Sequence, residues 1–232
     1  MTVQRKPKMM YDHIMQEEIF EAIDAIDLAT DFGGKFISDN QVILGGFEKS
    51  KQELMLIEDL VISANGTSCI AAKYGAHIMR HLGVFDTVKT DEAKNFKKID
   101  FKDLKYGGFL TVSQSGYGQH LSDALKMAYE SHLTCFNIVN VEDSPITQVV
   151  DKIIKSKSEE DQPVVLIDSD GMSDFNDNED LNQNKNIGLY QKTGHCYSDI
   201  KSFMPQIICL ALVALWFSYN KQKQSLQSIS ES

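Results

Sequence analysis

The sequence predicts an α/β domain organised around a parallel sheet. Three observations carry this. Short apolar runs of strand length recur along the chain, and helix-length amphipathic patterns follow them. Two of the strand-to-helix junctions carry the same kind of small, hydroxyl-rich loop. With 232 residues, the chain is long enough for one well-packed α/β domain.

The elements follow in order. Residues 1–45 read as an N-terminal helical segment, with an amphipathic helix near 9–30. The first strand lies near 58–64, where Leu60-Val61-Ile62-Ser63-Ala64 leads into Asn65-Gly66-Thr67-Ser68. A helix follows, with Ile70, Ala71, Tyr74, His77 and Ile78 at helical spacing. Further strands are expected near 84–89, 108–112, 133–139 and 163–167. The third, Gly108-Phe109-Leu110-Thr111-Val112, runs into Ser113-Gln114-Ser115-Gly116, and Leu121, Ala124, Leu125 and Ala128 mark the helix after it. The main domain is expected over 46–220, with an acidic insertion near 158–187 and a polar tail at 221–232.

The two loops are the candidate binding site. Backbone N–H groups at a strand-to-helix turn point outward unpaired, and the helix dipole there favours an anion. Ser113, Gln114, Ser115, Gly116 and Gly118 form one loop, and Gly66, Thr67 and Ser68 the other. Neither contains a lysine, and the glycine–lysine spacing of a nucleotide P-loop is absent. Hydroxyls with backbone amides suit a sugar phosphate better than a metal-bound triphosphate. In an open parallel sheet such loops meet at the carboxyl ends of the strands. The competing reading is that these are ordinary turn residues and helix caps.

At these residues the sequence resembles the isomerase half of glutamine–fructose-6-phosphate aminotransferase, within the SIS (sugar isomerase) superfamily. Met15-Gln16-Glu17-Glu18-Ile19-Phe20-Glu21 resembles its opening helix motif, Met-Gln-Lys-Glu-Ile-x-Glu. Gly66-Thr67-Ser68 resembles Cys-Gly-Thr-Ser, and Ser113-Gln114-Ser115-Gly116 matches the start of Ser-Gln-Ser-Gly-Glu-Thr. Phe136-Asn137-Ile138-Val139-Asn140 with Ser144 resembles the next strand and loop. Lys201-Ser202-Phe203 and Gln206 resemble Lys-Ala-Phe-Thr-x-Gln at the start of the last helix. The resemblance spans nearly the whole chain. It implies a three-layer αβα sandwich with a five-stranded parallel sheet, preceded by the N-terminal helical segment. It also implies a hexose phosphate ligand such as fructose 6-phosphate.

Departures from the family pattern bear on function. Tyr117-Gly118 replaces Glu-Thr, which removes a hydroxyl that binds phosphate in the family. Asn65 replaces the cysteine before Gly-Thr-Ser. The sugar-side loop Val-Ala-Ser-Thr-Lys becomes Tyr197-Ser198-Asp199-Ile200-Lys201, so Asp199 puts a carboxylate near the expected anion. Residue 2 is Thr2, where the full enzyme carries its glutaminase cysteine. The expectation is one SIS domain, without the glutaminase domain, a second SIS domain or the tail with the Schiff-base lysine. That favours a binding fold over a self-sufficient enzyme, and no catalytic residue is assigned.

Composition bounds the rest. Apolar residues make up 42% and charged residues 24%, as in globular chains. Nine acids and no Lys or Arg fall within 158–180; without them 23 basic residues face 24 acidic ones, so no nucleic-acid partner is expected. Asp168, Asp170, Asp174 and Glu179 read as a solvated loop, since Gly171 stands at the wrong position for an EF-hand. Cys69, Cys135, Cys196 and Cys209 lack CxxC spacing and read as reduced thiols. His195-Cys196 reads as loop, and no metal or cofactor is expected. Glu92 reads as a loop anchor. No N-terminal signal pattern is visible, so a cytoplasmic location is expected. The apolar run 203–219 falls short of a membrane span and reads as the last domain helix, with Pro205 in its first turn. Helices this apolar point to a homodimer or partner subunit and no membrane partner.

Overall fold

The computed structural model describes residues 11–104, 106–141, 144–149, 188–190 and 200–230. Helix α1 (Ile14–Ala29) is followed by an antiparallel hairpin, β1 (Phe36–Ser38) and β2 (Gln41–Val42). The segment expected to be helical over 1–45 therefore also contains a hairpin, turning at Asp39-Asn40. Short helices α2 (Gly45–Lys49) and α3 (Lys51–Leu54) lead into the sheet.

Five parallel strands form that sheet, in the order β4-β3-β5-β6-β7. They are β3 (Asp59–Ala64), β4 (Thr87–Glu92), β5 (Gly107–Ser113), β6 (Thr134–Val139) and β7 (Gly188–Tyr190). Helix α4 (Gly66–His81) follows β3, α5 (Gln119–Glu130) follows β5, and residues 145–149 are helical (α6) after β6. Helix α7 (Ile200–Ser230) ends the described chain.

Three strands fall where the apolar runs predict them. β4 begins later than the expected 84–89 run. Val84 and Phe85 are buried before the strand starts, with the Phe85 ring 4.9 Å from that of Phe217. The strand itself is the sheet's edge and carries the polar sequence Thr-Val-Lys-Thr-Asp-Glu. The fifth described strand is Gly188–Tyr190, whereas 163–167 was the expected fifth. That stretch, and the whole acidic insertion, lie outside the described residues.

The alternation of side chains splits the core into two layers. Leu60, Ile62, Leu110, Val112, Phe136 and Ile138 face α4 and α7, with Phe47, Trp216 and Phe217 in the same cluster. Val61, Phe109, Cys135 and Val139 face α5, with Phe101, Leu121 and Leu125. Each fully buried large side chain contributes on the order of 2 kcal/mol. Phe47 meets Trp216 edge-on at 5.2 Å, and the Trp216 indole N–H donates to Glu48 at 2.7 Å. This is the expected three-layer αβα sandwich.

Helix α7 runs longer than its apolar stretch. Residues 221–230, expected as a polar tail, continue it as helix; the segment has no Gly or Pro. Pro205 lies inside the helix rather than in its first turn. By length and composition, Ile200–Leu226 is long and apolar enough to cross a membrane, and 56% of its apolar window is buried within the chain. Gly75 lets α7 approach α4: a Cβ there would meet Leu210 at 2.7 Å. Lys221 ties the far end down, donating to the carbonyls of Ile57 (2.6 Å) and Val84 (2.9 Å).

Candidate functional site

The adjacent strands β3, β5 and β6 deliver three neighbouring loops to one edge of the sheet. On the α5 face, the row below that edge is polar. Ser63, Thr111 and Asn137 lie side by side in register and are fully buried. The Thr111 hydroxyl bonds the Asn137 side chain, and Ser63 Oγ has no partner among the described residues.

Ser113 closes β5, and the loop beyond it folds on its own hydroxyls. The Gly116 N–H donates to Ser113 Oγ at 3.0 Å, and the Tyr117 N–H donates to Ser115 Oγ at 3.2 Å. Gly116 takes φ +66°, a left-handed conformation. The next loop braces it: the Asn140 N–H donates to the Gln114 carbonyl at 3.2 Å and the Ile146 N–H to the Gly116 carbonyl at 3.1 Å.

The β3–α4 loop meets this loop from the side. A Cβ on Gly118 would stand 3.2 Å from the Asn65 amide nitrogen. Asn65 precedes α4 and Gly118 precedes α5, and neither helix receives a side-chain cap from that residue. Two helices of 16 and 12 residues therefore start uncapped near one another. Ser68, in the first turn of α4, accepts a hydrogen bond from the Gln206 amide of α7 at 2.9 Å. Ser68 and Ser113 are each 7% exposed, and Ser115 is partly exposed.

Gly66, Thr67 and Ser68 open α4, Ser113 ends β5, and Gln114, Ser115, Gly116 and Gly118 form the loop between β5 and α5, all at the carboxyl edge of the sheet. Tyr197, Ser198 and Asp199 lie outside the described residues, as do His195 and Cys196. Lys201 is described, and its ammonium pairs with Glu21 of α1 at 2.9 Å. Glu92 ends β4 and pairs with Lys94 at 2.6 Å. Among the described residues, no group of three His, Cys, Asp or Glu side chains is placed to hold a metal.

Two partners were not assigned from sequence. Ser144 is fully buried and packed against Gly116, with Oγ unpartnered among the described residues. Gln206 is 1% exposed, and its signal was an isolated amide in an otherwise apolar helical stretch. Burial favours the protonated form of the three described thiols. Burial raises the Cys135 pKa well above the usual range and pushes Cys209 up to about 11, with Lys35 opposing the latter shift. The Cys69 thiol is raised by burial too, and Lys73 works against that shift.

Comparison with known proteins agrees with this architecture. No family model matches the chain. A probable glutamine–fructose-6-phosphate aminotransferase of Acanthamoeba polyphaga mimivirus is 30% identical over 145 residues, 62% of this chain and 23% of that protein. The aminotransferase of Caldanaerobacter subterraneus subsp. tengcongensis is 28% identical over 152 residues, 66% of this chain and 24% of that protein. The matched region thus spans about a quarter of the length of these relatives. Among solved structures, the C-terminal domain of glucosamine–fructose-6-phosphate aminotransferase from Francisella tularensis superposes with a TM-score of 0.64 at 17% identity, over 94% of this chain and 51% of that one. The Vibrio vulnificus NanR protein complexed with ManNAc-6P gives 0.56 at 14% identity, over 94% and 68%. The chain has the fold of the C-terminal domain of glucosamine–fructose-6-phosphate aminotransferase, a sugar-isomerase (SIS) fold, and over about two thirds of its length it is similar in sequence to glutamine–fructose-6-phosphate aminotransferases.

Proposed function

We propose that this domain binds a hexose phosphate of the fructose 6-phosphate class at the carboxyl edge of its sheet. One observation carries the proposal. Ser68, Ser113 and Ser115 each accept an N–H from within the protein, and among the described residues none of the three hydroxyls donates its proton, which leaves three donors for a ligand. Three such donors beside two uncapped helix starts suit a phosphate, whose oxygens only accept. Gly66, Thr67, Gln114, Gly116 and Gly118 supply the backbone around it. The role fits a divergent or partial aminotransferase isomerase unit of amino-sugar metabolism, because the sequence relatives are aminotransferases.

A second reading is a non-catalytic phosphosugar sensor. Gly118 favours it, since the family's phosphate-binding threonine is absent there, and a sugar-phosphate complex of a NanR protein shares the fold. Three free, buried cysteines suit a reducing cytoplasm under either reading. Self-association through α1 also belongs to the proposal. Met15, Ile19 and Ile23 form a stripe along that helix and are 61%, 52% and 62% exposed.

Thermal-shift measurement tests the ligand class. Hexose 6-phosphates should raise the melting temperature, while the unphosphorylated hexoses should not. A panel in which no phosphosugar shifts the transition contradicts it.

A further inference from the structure

We infer that Gln206 is a positioning residue that sets the direction of the Ser68 hydroxyl, and so decides whether Ser68 can donate to the anion. The inference rests on the hexose phosphate reading above and deepens it. Ser113 and Ser115 are served by amides of their own loop, from Gly116 and Tyr117. Ser68 has no such local donor. Its oxygen accepts instead from Gln206 Nε2, at 2.9 Å and across 138 residues of sequence. With one lone pair held by an N–H, the serine turns its own proton away from the amide. The relay runs from Gln206 N–H to Ser68 O–H to an anion oxygen, and each bond polarises the next.

The reversed amide would undo this. A carbonyl oxygen facing Ser68 would take the hydroxyl proton and remove a donor from the crevice. The orientation in place leaves Gln206 Oε1 buried and unpartnered among the described residues. An orphaned carbonyl in a buried position is unfavourable and calls for a reason. Keeping Nε2 on Ser68 supplies one. The packing holds the relay in register: one turn along α7, Leu210 lies against Gly75 of α4.

The test compares the full chain with Gln206→Glu and Gln206→Met, titrated with fructose 6-phosphate by calorimetry from about pH 5.5 to 8. A carboxyl buried at this position, where Gln206 is 1% exposed, holds its proton above the usual carboxylate range; protonated it can still donate to Ser68, whereas a carboxylate takes the Ser68 proton. Gln206→Glu should bind within about threefold of wild type at the acid end and at least about tenfold more weakly at the alkaline end. Gln206→Met should be weaker by about tenfold at every pH. The titratable groups close in sequence to Gln206 and Ser68, with the charges that act on them, are Lys201 with Glu21, Cys209 with Lys35, and Cys69 with Lys73, Asp91 and Glu92. All are common to wild type, so affinities are read as ratios to it. In a Ser68→Ala background the pH dependence of Gln206→Glu should disappear. If Gln206→Met fails to fold, the acid limb of Gln206→Glu serves as the folded reference. A ratio flat with pH, with wild type binding normally, overturns this inference alone. Absence of binding by wild type overturns it together with the hexose phosphate reading.

Discussion

Gly116 and Ser144 are packed so closely that a methyl group on Gly116 would lie 2.2 Å from both Cβ and Oγ of Ser144. Two loops from neighbouring strands are thereby locked together at the sheet edge. Gly116 also sits at φ +66°, where a side chain is strained. Gly116→Ala should therefore cost about 2–4 kcal/mol of stability, from backbone strain plus overpacking. Urea denaturation measures this, and wild-type stability in the variant would show that the loops are not locked.

Gly118 stands where the resembled Ser-Gln-Ser-Gly-Glu-Thr motif ends in threonine, yet introducing that hydroxyl should not help. Its φ is +148°, and a Cβ would press against the Asn65 amide at 3.2 Å. Gly118→Thr should bind fructose 6-phosphate no more tightly than wild type and unfold at a lower temperature. Tighter binding by calorimetry would show that the loop can relax into the family's conformation.

The parts of the fold legible in the sequence are those fixed by local pattern. Leu60–Ala64 and Phe109–Val112 are strands because apolar and β-branched residues there fill both layers of the core. The small hydroxyl residues after them marked the edge where the loops meet. β4 was misplaced because an edge strand needs few apolar residues, and the apolar pair Val84-Phe85 packs ahead of it. β7 is too short, at Gly188–Tyr190, to leave a periodic signal. The Gln206–Ser68 bond and the Ser144 brace depend on tertiary approach, which no local pattern encodes.

The buried thiols predict alkaline weakening. Burial raises Cys135 and Cys209 above their unfolded value of 9.0, so above that pH the unfolded chain releases protons that the native state retains. Stability should be unaffected below pH 9.0 and fall as pH rises toward about 11, where Cys209 titrates. Each thiol contributes a slope of up to about 1.4 kcal/mol per pH unit. Lys221 works the other way, because burial lowers its pKa and the unfolded chain then binds more protons. Cys135→Ala with Cys209→Ala should flatten the fall in urea denaturation series. An unchanged slope would mean that the thiols do not drive it.

Any self-association should run through α1 rather than α7. Leu212 and Trp216 on α7 are 2% and 0% exposed, so changing them would unfold the chain instead of splitting a dimer. The Met15, Ile19 and Ile23 stripe is exposed, and a stable pair buries about 800 Å² on each side. Light scattering should give a dimer mass for wild type and a monomer mass for Ile19→Glu with Ile23→Lys. A wild-type monomer at micromolar concentration would contradict the pairing.

If the serine hydroxyls of the two strand-to-helix loops hold the sugar phosphate, removing them weakens its binding. The measurement is isothermal titration of fructose 6-phosphate into wild type and into Ser113→Ala with Ser115→Ala. Both hydroxyls lie at one loop beside an uncapped helix start, and among the described residues neither donates its proton. The double variant should remain folded and lose about 2–4 kcal/mol of affinity, taking charge-assisted hydrogen bonds at about 1.5–3 kcal/mol each with imperfect additivity. Equal affinity in the two proteins would contradict the claim.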